Sequence, residues 1–168
     1  MSMEKYNKIH FIGIGGISMS SLAEILKSKG KTITGSDGVA SNVTKALENI
    51  GIQVSIGQKA ENITPDTDLI VYTAAVKEDN PELMAARASG IETVDRAALV
   101  GMMMLEYKFP LSVAGTHGKT TTSSLVTEIF LEANTNPTVS IGGILPSIKG
   151  NYKVGGEDYF ILETCEYC

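Results

Sequence analysis

The sequence alternates short apolar runs with stretches of helical periodicity. The segment KIHFIG at residues 8–13 predicts a strand, and DLIVY at residues 68–72 predicts a buried central strand. The spacing of Leu22, Ile25 and Leu26 predicts a helix over residues 17–29. Further strands are predicted at residues 31–36, 52–56 and 91–94, and further helices at residues 41–50, 81–89 and 96–105. This alternation favours βαβ units: a parallel sheet with helices on both faces that binds ligands at the carboxyl ends of its strands.

The pattern restarts near Pro110, which predicts two domains, residues 1–107 and 108–168. The second begins with a strand at residues 111–114 and a helix at residues 119–133, followed by strands at residues 138–141 and 158–162. A nucleotide-binding α/β domain usually needs about 100–150 residues. We therefore expect the second domain to be incomplete, less stable and inactive alone. We also expect its last strand to leave an open sheet edge through which copies could associate.

Charge and composition narrow the class of protein. The 168 residues carry 14 Lys and Arg against 19 Asp and Glu, a net charge of −5, which argues against nucleic-acid or anionic-membrane binding. No apolar run approaches the roughly 20 residues of a membrane helix, and the amino terminus lacks a signal-peptide pattern, so we expect a cytoplasmic protein. Cys165 and Cys168 form a C-x-x-C pair, which could be a redox pair or half of a zinc site. Because the sequence has no second Cys or Cys/His pair and a redox pair should open a helix after a strand, we interpret the two cysteines as incidental.

The segment GIGGIS, residues 13–18, follows a predicted strand and opens a predicted helix. Glycines in that context permit a tight turn, and the helix amino terminus offers N–H groups to a phosphate. Asp37 follows the second strand, where an acid usually contacts a ribose or a base. Taken alone, this cluster would suggest NAD, so a non-catalytic module that binds NAD or another nucleotide is the alternative hypothesis.

The segment GTHGKTT, residues 115–121, is a shortened phosphate-binding loop between a strand and a helix. Its backbone N–H groups would surround the phosphates of ATP, Lys119 would reach the β- and γ-phosphate oxygens, and Thr120 would bind Mg²⁺. His117 could contact phosphate or occupy a turn position. His10 alternates with apolar neighbours on a strand, and we expect it to have a packing or surface role.

With both glycine clusters present, the sequence resembles the N-terminal part of Mur ligases, in particular those that join L-alanine to UDP-N-acetylmuramic acid. Seven segments carry the resemblance: HFIGIGGISMSSLAEIL (10–26), TGSD (34–37), VYTAAVKEDNPEL (71–83), DRAALV (95–100), AGTHGKTTT (114–122), IGG (141–143) and LETCEYC (162–168). The resemblance implies a Rossmann-like UDP-sugar domain, followed by the start of an ATPase domain. It also implies peptidoglycan precursor synthesis, in which ATP phosphorylates the muramoyl carboxylate and the amine of L-alanine attacks the acyl phosphate.

The resemblance also implies roles for individual residues. Those expected to bind the UDP-sugar are Ile14, Gly15, Gly16, Ile17, Ser18, Asp37, Thr73 and Ala74. Those expected to bind ATP are Gly115, Thr116, His117, Gly118, Lys119, Thr120 and Thr121. Lys119 and Glu163 would be catalytic, and Thr120 and Glu163 would hold Mg²⁺. The alternative for Glu163 is a solvated strand end, and Cys165 stands where many relatives carry Asp.

Overall fold

The computed structural model describes residues 3–164. The strands are β1 Lys8–Ile12, β2 Thr32–Asp37, β3 Gln53–Ile56, β4 Leu69–Tyr72, β5 Glu92–Asp95, β6 Phe109–Val113, β7 Thr138–Leu145, β8 Gly150–Lys153 and β9 Tyr159–Glu163. The α-helices are α1 Ile17–Ser28, α2 Asn42–Asn49, α3 Pro81–Ala88, α4 Arg96–Met104 and α5 Lys119–Glu132. Short 3-10 helices lie at Met3–Lys5, Ala60–Asn62 and Pro146–Ile148. The predicted α/β class is confirmed.

The first compact unit, Glu4–Leu99, contains a parallel five-stranded sheet in the order β3-β2-β1-β4-β5. The chain builds outward from β1 to β3 and then crosses to the other side of β1 to form β4 and β5. Strand order therefore reverses between β1 and β4, and open sheets of this kind bind ligands at the carboxyl ends of the strands at that point. The first glycine cluster follows β1 directly and lies there.

The core of this unit joins the sheet to α3. Ile12, Ile70, Leu83 and Ala86 are fully buried and in contact with one another, and burying a large aliphatic side chain contributes about 1.5–3 kcal/mol. Asn80 caps α3 by accepting hydrogen bonds from the next two N–H groups of the helix, and a proline occupies the first helical position. The helix amino terminus is thereby fixed at the carboxyl edge of the sheet.

The second unit comprises Met3 and the chain from Val100 onward, and its sheet has the order β6-β9-β7-β8. The expectation that the last strand forms an open edge is wrong, because β9 lies between β6 and β7 and is parallel to both. β6 and β8 are the edges instead. β8, which pairs antiparallel with β7, was not predicted, because GNYK has neither an apolar run nor a clear alternation.

The two compact units divide between Leu99 and Val100, inside α4. The predicted boundary lies between residues 107 and 108, and the assignment of those two ranges to UDP-sugar and ATP binding stays a prediction. Among residues 3–164, none of the helices combines the length and the apolar character needed to cross a bilayer.

Candidate functional site

The first glycine turn connects β1 to α1 at the carboxyl edge of the first sheet. The N–H groups of Gly13 and Ile14 donate to the carbonyl of Ser36 at 2.8 and 2.9 Å. Gly13 has a φ of +84°, and a Cβ there would lie 2.5 Å from Thr73 Cγ2, so a side chain is excluded on two grounds. The backbone donor of Ile14, a predicted diphosphate contact, is therefore used within the fold to anchor the turn to β2.

Asp37, the last residue of β2, lies against the same turn. One of its carboxylate oxygens accepts the N–H of Gly15 at 2.9 Å, and the other accepts the N–H of Val39 at 3.2 Å. A Cβ on Gly15 would lie 2.8 Å from Asp37 Oδ2 and 3.2 Å from Thr44 Cγ2. The absence of a side chain at residue 15 is therefore what lets the carboxylate approach the turn.

A cleft of about 630 Å³ opens beside this turn. It brings together three of the predicted regions: the glycine turn, through Gly13 and Gly16, then Asp37, and then Thr73. Ala74 is exposed and lies outside the lining, where its neighbours Ala75 and Val76 are found instead. The remaining predicted contacts, Ile17 and Ser18, form the first turn of α1, which no side chain caps.

Sequence reasoning missed part of the cleft wall. Gln58, Lys77, Asp79 and Asn80 also line it, and the side-chain amide of Asn80 donates to Gln58 Oε1 at 2.6 Å. The Asn80-Pro81 helix start was a usable signal, since it places a helix amino terminus at the carboxyl edge of the sheet. Nothing local in the sequence marks Gln58, which reaches the cleft only because β3 pairs with β2.

A buried polar network lies beneath the turn. His10 Nε2 and Glu82 Oε1 are 2.8 Å apart, His10 Nδ1 contacts Thr34 Oγ1 at 2.8 Å, and Ser36 Oγ donates to Glu82 Oε2 at 2.6 Å. His10 is 3% exposed and Glu82 is fully buried. His10 therefore has a structural role with a polar partner, because its alternation on β1 turns it towards α3.

The second glycine cluster forms the loop between β6 and α5 in the second unit. Gly118 precedes the helix in the left-handed conformation with a φ of +76°, which glycine adopts without strain. Lys119 Nζ folds back over the loop and donates to the carbonyl of Gly115 at 2.5 Å. Thr116, His117 and Thr121 are exposed. The loop thus has the strand, turn and helix context that the sequence predicted.

Glu163 lies beside this loop because β9 is parallel to β6, with Glu163 in register with Val113. Its carboxylate accepts hydrogen bonds from Thr120 Oγ1 at 3.2 Å and from the N–H of Gly142 at 3.0 Å. The buried Ser123 hydroxyl also lies within 3.3 Å. Glu163 is therefore not a freely solvated strand end, since loop, helix and β7 converge on it.

Oxygen ligands suit Mg²⁺, which commonly binds one or two protein oxygens together with phosphate oxygens and water. The Thr120 hydroxyl and the Glu163 carboxylate supply such a pair. Over residues 3–164 no cluster of three or more His, Cys, Asp or Glu side chains suits a metal ion, so Thr120 and Glu163 are a partial set of ligands within that range. Cys165, Glu166 and Cys168 lie outside the described residues.

Two acids with lowered pKa values, Asp66 and Asp68, lie away from the cleft. Asp68 precedes β4 at the amino ends of the strands, and its carboxylate accepts the N–H groups of Lys8 and Asn7, each at 2.8 Å. These two hydrogen bonds lower the pKa of Asp68 below its ordinary value. The hydrogen bond from Lys8 Nζ lowers the pKa of Asp66 to about 2. These groups anchor the sheet at the end opposite the cleft.

Comparison with known proteins yields a consistent set of relatives. Residues 8–108 match a family described as "Mur ligase family, catalytic domain". A UDP-N-acetylmuramate–L-alanine ligase of Agathobacter rectalis is 59% identical over 159 residues, which cover 95% of this chain and 35% of that protein. The chain therefore spans about a third of the length of the curated relatives it matches.

Solved structures agree. A UDP-N-acetylmuramate–alanine ligase from Thermotoga maritima superposes with a TM-score of 0.86 at 37% identity, over 95% of this chain and 37% of that one. A UDP-N-acetylmuramate:L-alanyl-gamma-D-glutamyl-meso-diaminopimelate ligase from Neisseria meningitides superposes with a TM-score of 0.84 at 27% identity, over 96% of this chain and 55% of that one.

Proposed function

Because the chain belongs to the Mur ligase family, we propose that it supplies the UDP-sugar cleft and the ATP phosphate loop of a peptidoglycan precursor ligase that joins L-alanine to UDP-N-acetylmuramic acid. The observation that carries this proposal is the convergence of Thr120, Gly142 and Glu163 beside Lys119 in the second unit. A phosphate loop next to a carboxylate is the arrangement that a nucleoside triphosphate and its Mg²⁺ require. The names of the relatives support L-alanine as the amino acid. We place the reaction in the cytoplasm.

The proposed reaction begins when the muramoyl carboxylate attacks the γ-phosphorus of ATP, which forms an acyl phosphate and releases ADP. The amine of L-alanine then attacks the acyl carbon, and inorganic phosphate leaves as the amide bond forms. Lys119 would donate to the β- and γ-phosphate oxygens once it turns away from the carbonyl of Gly115. Its charge would offset the negative charge that builds up during transfer.

The chemistry of the donor set at Glu163 fits Mg²⁺. Thr120 Oγ1 and the Glu163 carboxylate would hold it, and when bound it would neutralise charge on the phosphate oxygens. The N–H of Gly142 and the Ser123 hydroxyl would orient the carboxylate for this role, since both contact it.

In the first unit, we propose that the diphosphate of the UDP-sugar binds at the amino terminus of α1, with Asp37 towards the uridine. The cleft beside Gly13, Gly16 and Thr73 supports this placement. The alternative, a module that binds NAD without catalysis, accounts for the same turn and for Asp37. It leaves the loop at Lys119 and its carboxylate partner unexplained.

A ligand ranking separates the two hypotheses. UDP-N-acetylmuramic acid and UDP should each raise the thermal unfolding midpoint of this chain more than NAD does at equal concentration. Saturation at 100 times the dissociation constant adds about 2.7 kcal/mol of stability, which such a scan detects. A larger shift with NAD than with either uridine compound would refute the proposal.

ATP with Mg²⁺ provides the second half of the test. It should stabilise the wild-type chain and have a smaller effect on Lys119→Ala, while UDP stabilises both proteins equally. This pairing shows whether a lost response belongs to the phosphate loop or to the whole protein. That the 168-residue chain cannot catalyse ligation alone stays a prediction, and release of phosphate from ATP that depends on L-alanine would contradict it.

A further inference from the structure

Arg96 holds a positive charge next to the first glycine turn. It is the first residue of α4 and directly follows β5. Its guanidinium Nη1 donates to Ser18 Oγ at 2.9 Å, which places it within one hydrogen bond of a residue in the first turn of α1. Among the described residues, Ser18 is its sole hydrogen-bond partner, and none of the ion pairs formed there involves Arg96.

The nearby carboxylates are engaged elsewhere. Asp95, the preceding residue, accepts the N–H of Ala98 at 2.7 Å and so caps α4. Asp37 uses one oxygen for Gly15 and the other for Val39. The guanidinium therefore has several N–H donors that no described protein group accepts.

The position of this charge is unfavourable for the fold alone. Helix dipoles place partial positive charge at the amino terminus, where a cation is destabilising by some tenths of a kcal/mol. Arg96 lies at the amino terminus of α4 and bonds to the first turn of α1, and neither first turn contains an acid. The half-buried guanidinium of Arg96 has a neutral hydroxyl as its partner there. An anionic ligand would therefore neutralise a positive charge that the fold leaves uncompensated.

We propose that Arg96 is a specificity-determining residue that binds the diphosphate of the uridine nucleotide, an inference that rests on the proposed function. Ser18 holds the guanidinium beside the turn. When the nucleotide binds, the remaining N–H donors form paired hydrogen bonds to phosphate oxygens, a geometry that guanidinium offers and ammonium does not. The positive charge of Arg96 would also offset the repulsion between the phosphates and the carboxylate of Asp37, which lies against the same turn.

The test compares Arg96→Gln and Arg96→Lys with wild type in this chain. UDP binding is measured by titration calorimetry, and uridine binding by NMR at millimolar concentration. Arg96→Gln should weaken UDP binding about ten- to a hundredfold, the loss of a charge-assisted hydrogen bond. It should leave uridine binding unchanged. Arg96→Lys should lose several-fold for UDP, because it keeps the charge without the paired donors.

Arg87→Gln is the matched control. It changes net charge equally in the same unit, but Arg87 pairs with Glu78 on the surface, so UDP affinity should stay at the wild-type value. If Arg96→Gln binds UDP as tightly as wild type does, the role of Arg96 is overturned and the proposed function is unaffected. Equal losses of affinity for UDP and for uridine would have the same consequence. No UDP binding by wild type would overturn both. Where Arg96→Gln does not fold, wild-type UDP affinity in Arg96→Lys overturns the inference.

Discussion

Glu82→Ala should destabilise the first unit strongly although it replaces a polar residue. Glu82 is fully buried, accepts a hydrogen bond from the Ser36 hydroxyl and contacts His10 at 2.8 Å. Truncation would leave His10 Nε2 and the Ser36 hydroxyl without their partner in a dry environment. Each buried hydrogen-bonding group left without a partner costs about 1–3 kcal/mol, so the loss of both contacts should cost about 2–6 kcal/mol. The free energy of unfolding should fall by that amount.

Glu78→Ala provides the control on the same segment. Glu78 pairs with Arg87 on the surface, where the two side chains are 75% and 46% exposed. Exposed ion pairs contribute about 0.2–1 kcal/mol. The two alanine variants thus remove the same side chain four positions apart, and their effects on the free energy of unfolding should differ at least about twofold.

Because the chain has two compact units, one global unfolding curve would mix their contributions. Hydrogen exchange followed by mass spectrometry resolves them. Peptides from β1 and β2 should lose protection in Glu82→Ala and keep it in Glu78→Ala, whereas peptides from β9 should be unchanged in both. Urea titration by circular dichroism provides the midpoints.

Glu82→Gln tests the reasoning directly. An amide can still accept from Ser36 and donate to a neutral His10, so it should recover much of the loss. Should Glu82→Ala prove no more destabilising than Glu78→Ala, the buried network would have no role in stability. Should Glu82→Gln be as costly as alanine, the negative charge of Glu82, rather than its hydrogen bonds, would be what stabilises the network.

Three further predictions concern the phosphate loop and the acid response. Lys119→Ala should weaken ATP binding about tenfold or more in calorimetry, with UDP binding as the unchanged reference. Gly142→Ala would place a Cβ 2.7 Å from Glu163 Oε1 and so displace the proposed Mg²⁺ ligand. The gain in ATP affinity on adding Mg²⁺ should therefore shrink. Gly150→Ala is the control, because its Cβ would meet nothing closer than 3.9 Å, and it should retain that gain. The pKa of Asp68 is lowered in the fold, so its contribution to stability is present above about pH 4 and is lost as pH falls through the folded value. Asp68→Asn should flatten the fall of the urea midpoint as pH drops below about 4, and an unchanged slope would contradict this assignment.

The sequence predicted the parallel sheet of the first unit well because its strands alternate with helices whose ends are marked by Gly30, Gly51 and the Asn80-Pro81 pair. It predicted both glycine turns for the same reason, since each depends on local spacing. The central place of β9 could not be predicted, because strand order depends on which edges meet in three dimensions. The link between Glu163 and Gly142 follows from that order. The segment IGG contributed to the family resemblance, but nothing in it indicated that the N–H of Gly142 donates to Glu163.

The long-range contacts of the site were also beyond local reasoning. From the sequence alone, Glu82 is an ordinary acid in the first turn of a helix. It contacts His10 because α3 packs against β1. Arg96 reads as a helix start, and its contact with Ser18 joins residues 78 positions apart. The N–H groups of Ile14 and Gly15 were expected to face the diphosphate. In the fold they donate to Ser36 and Asp37, and these hydrogen bonds anchor the turn to β2.

The insertion of β9 between β6 and β7 has a consequence for synthesis on the ribosome. Phe109 pairs with Tyr159, so β6 must wait for a partner made fifty residues later. At about 5–20 residues per second, that wait lasts roughly 3–10 seconds. Throughout it the backbone N–H and C=O groups of β6 that later pair with β9 lack those partners, on a nascent chain whose first sheet can already have formed. We expect this interval to be the period in which the nascent chain most needs a chaperone.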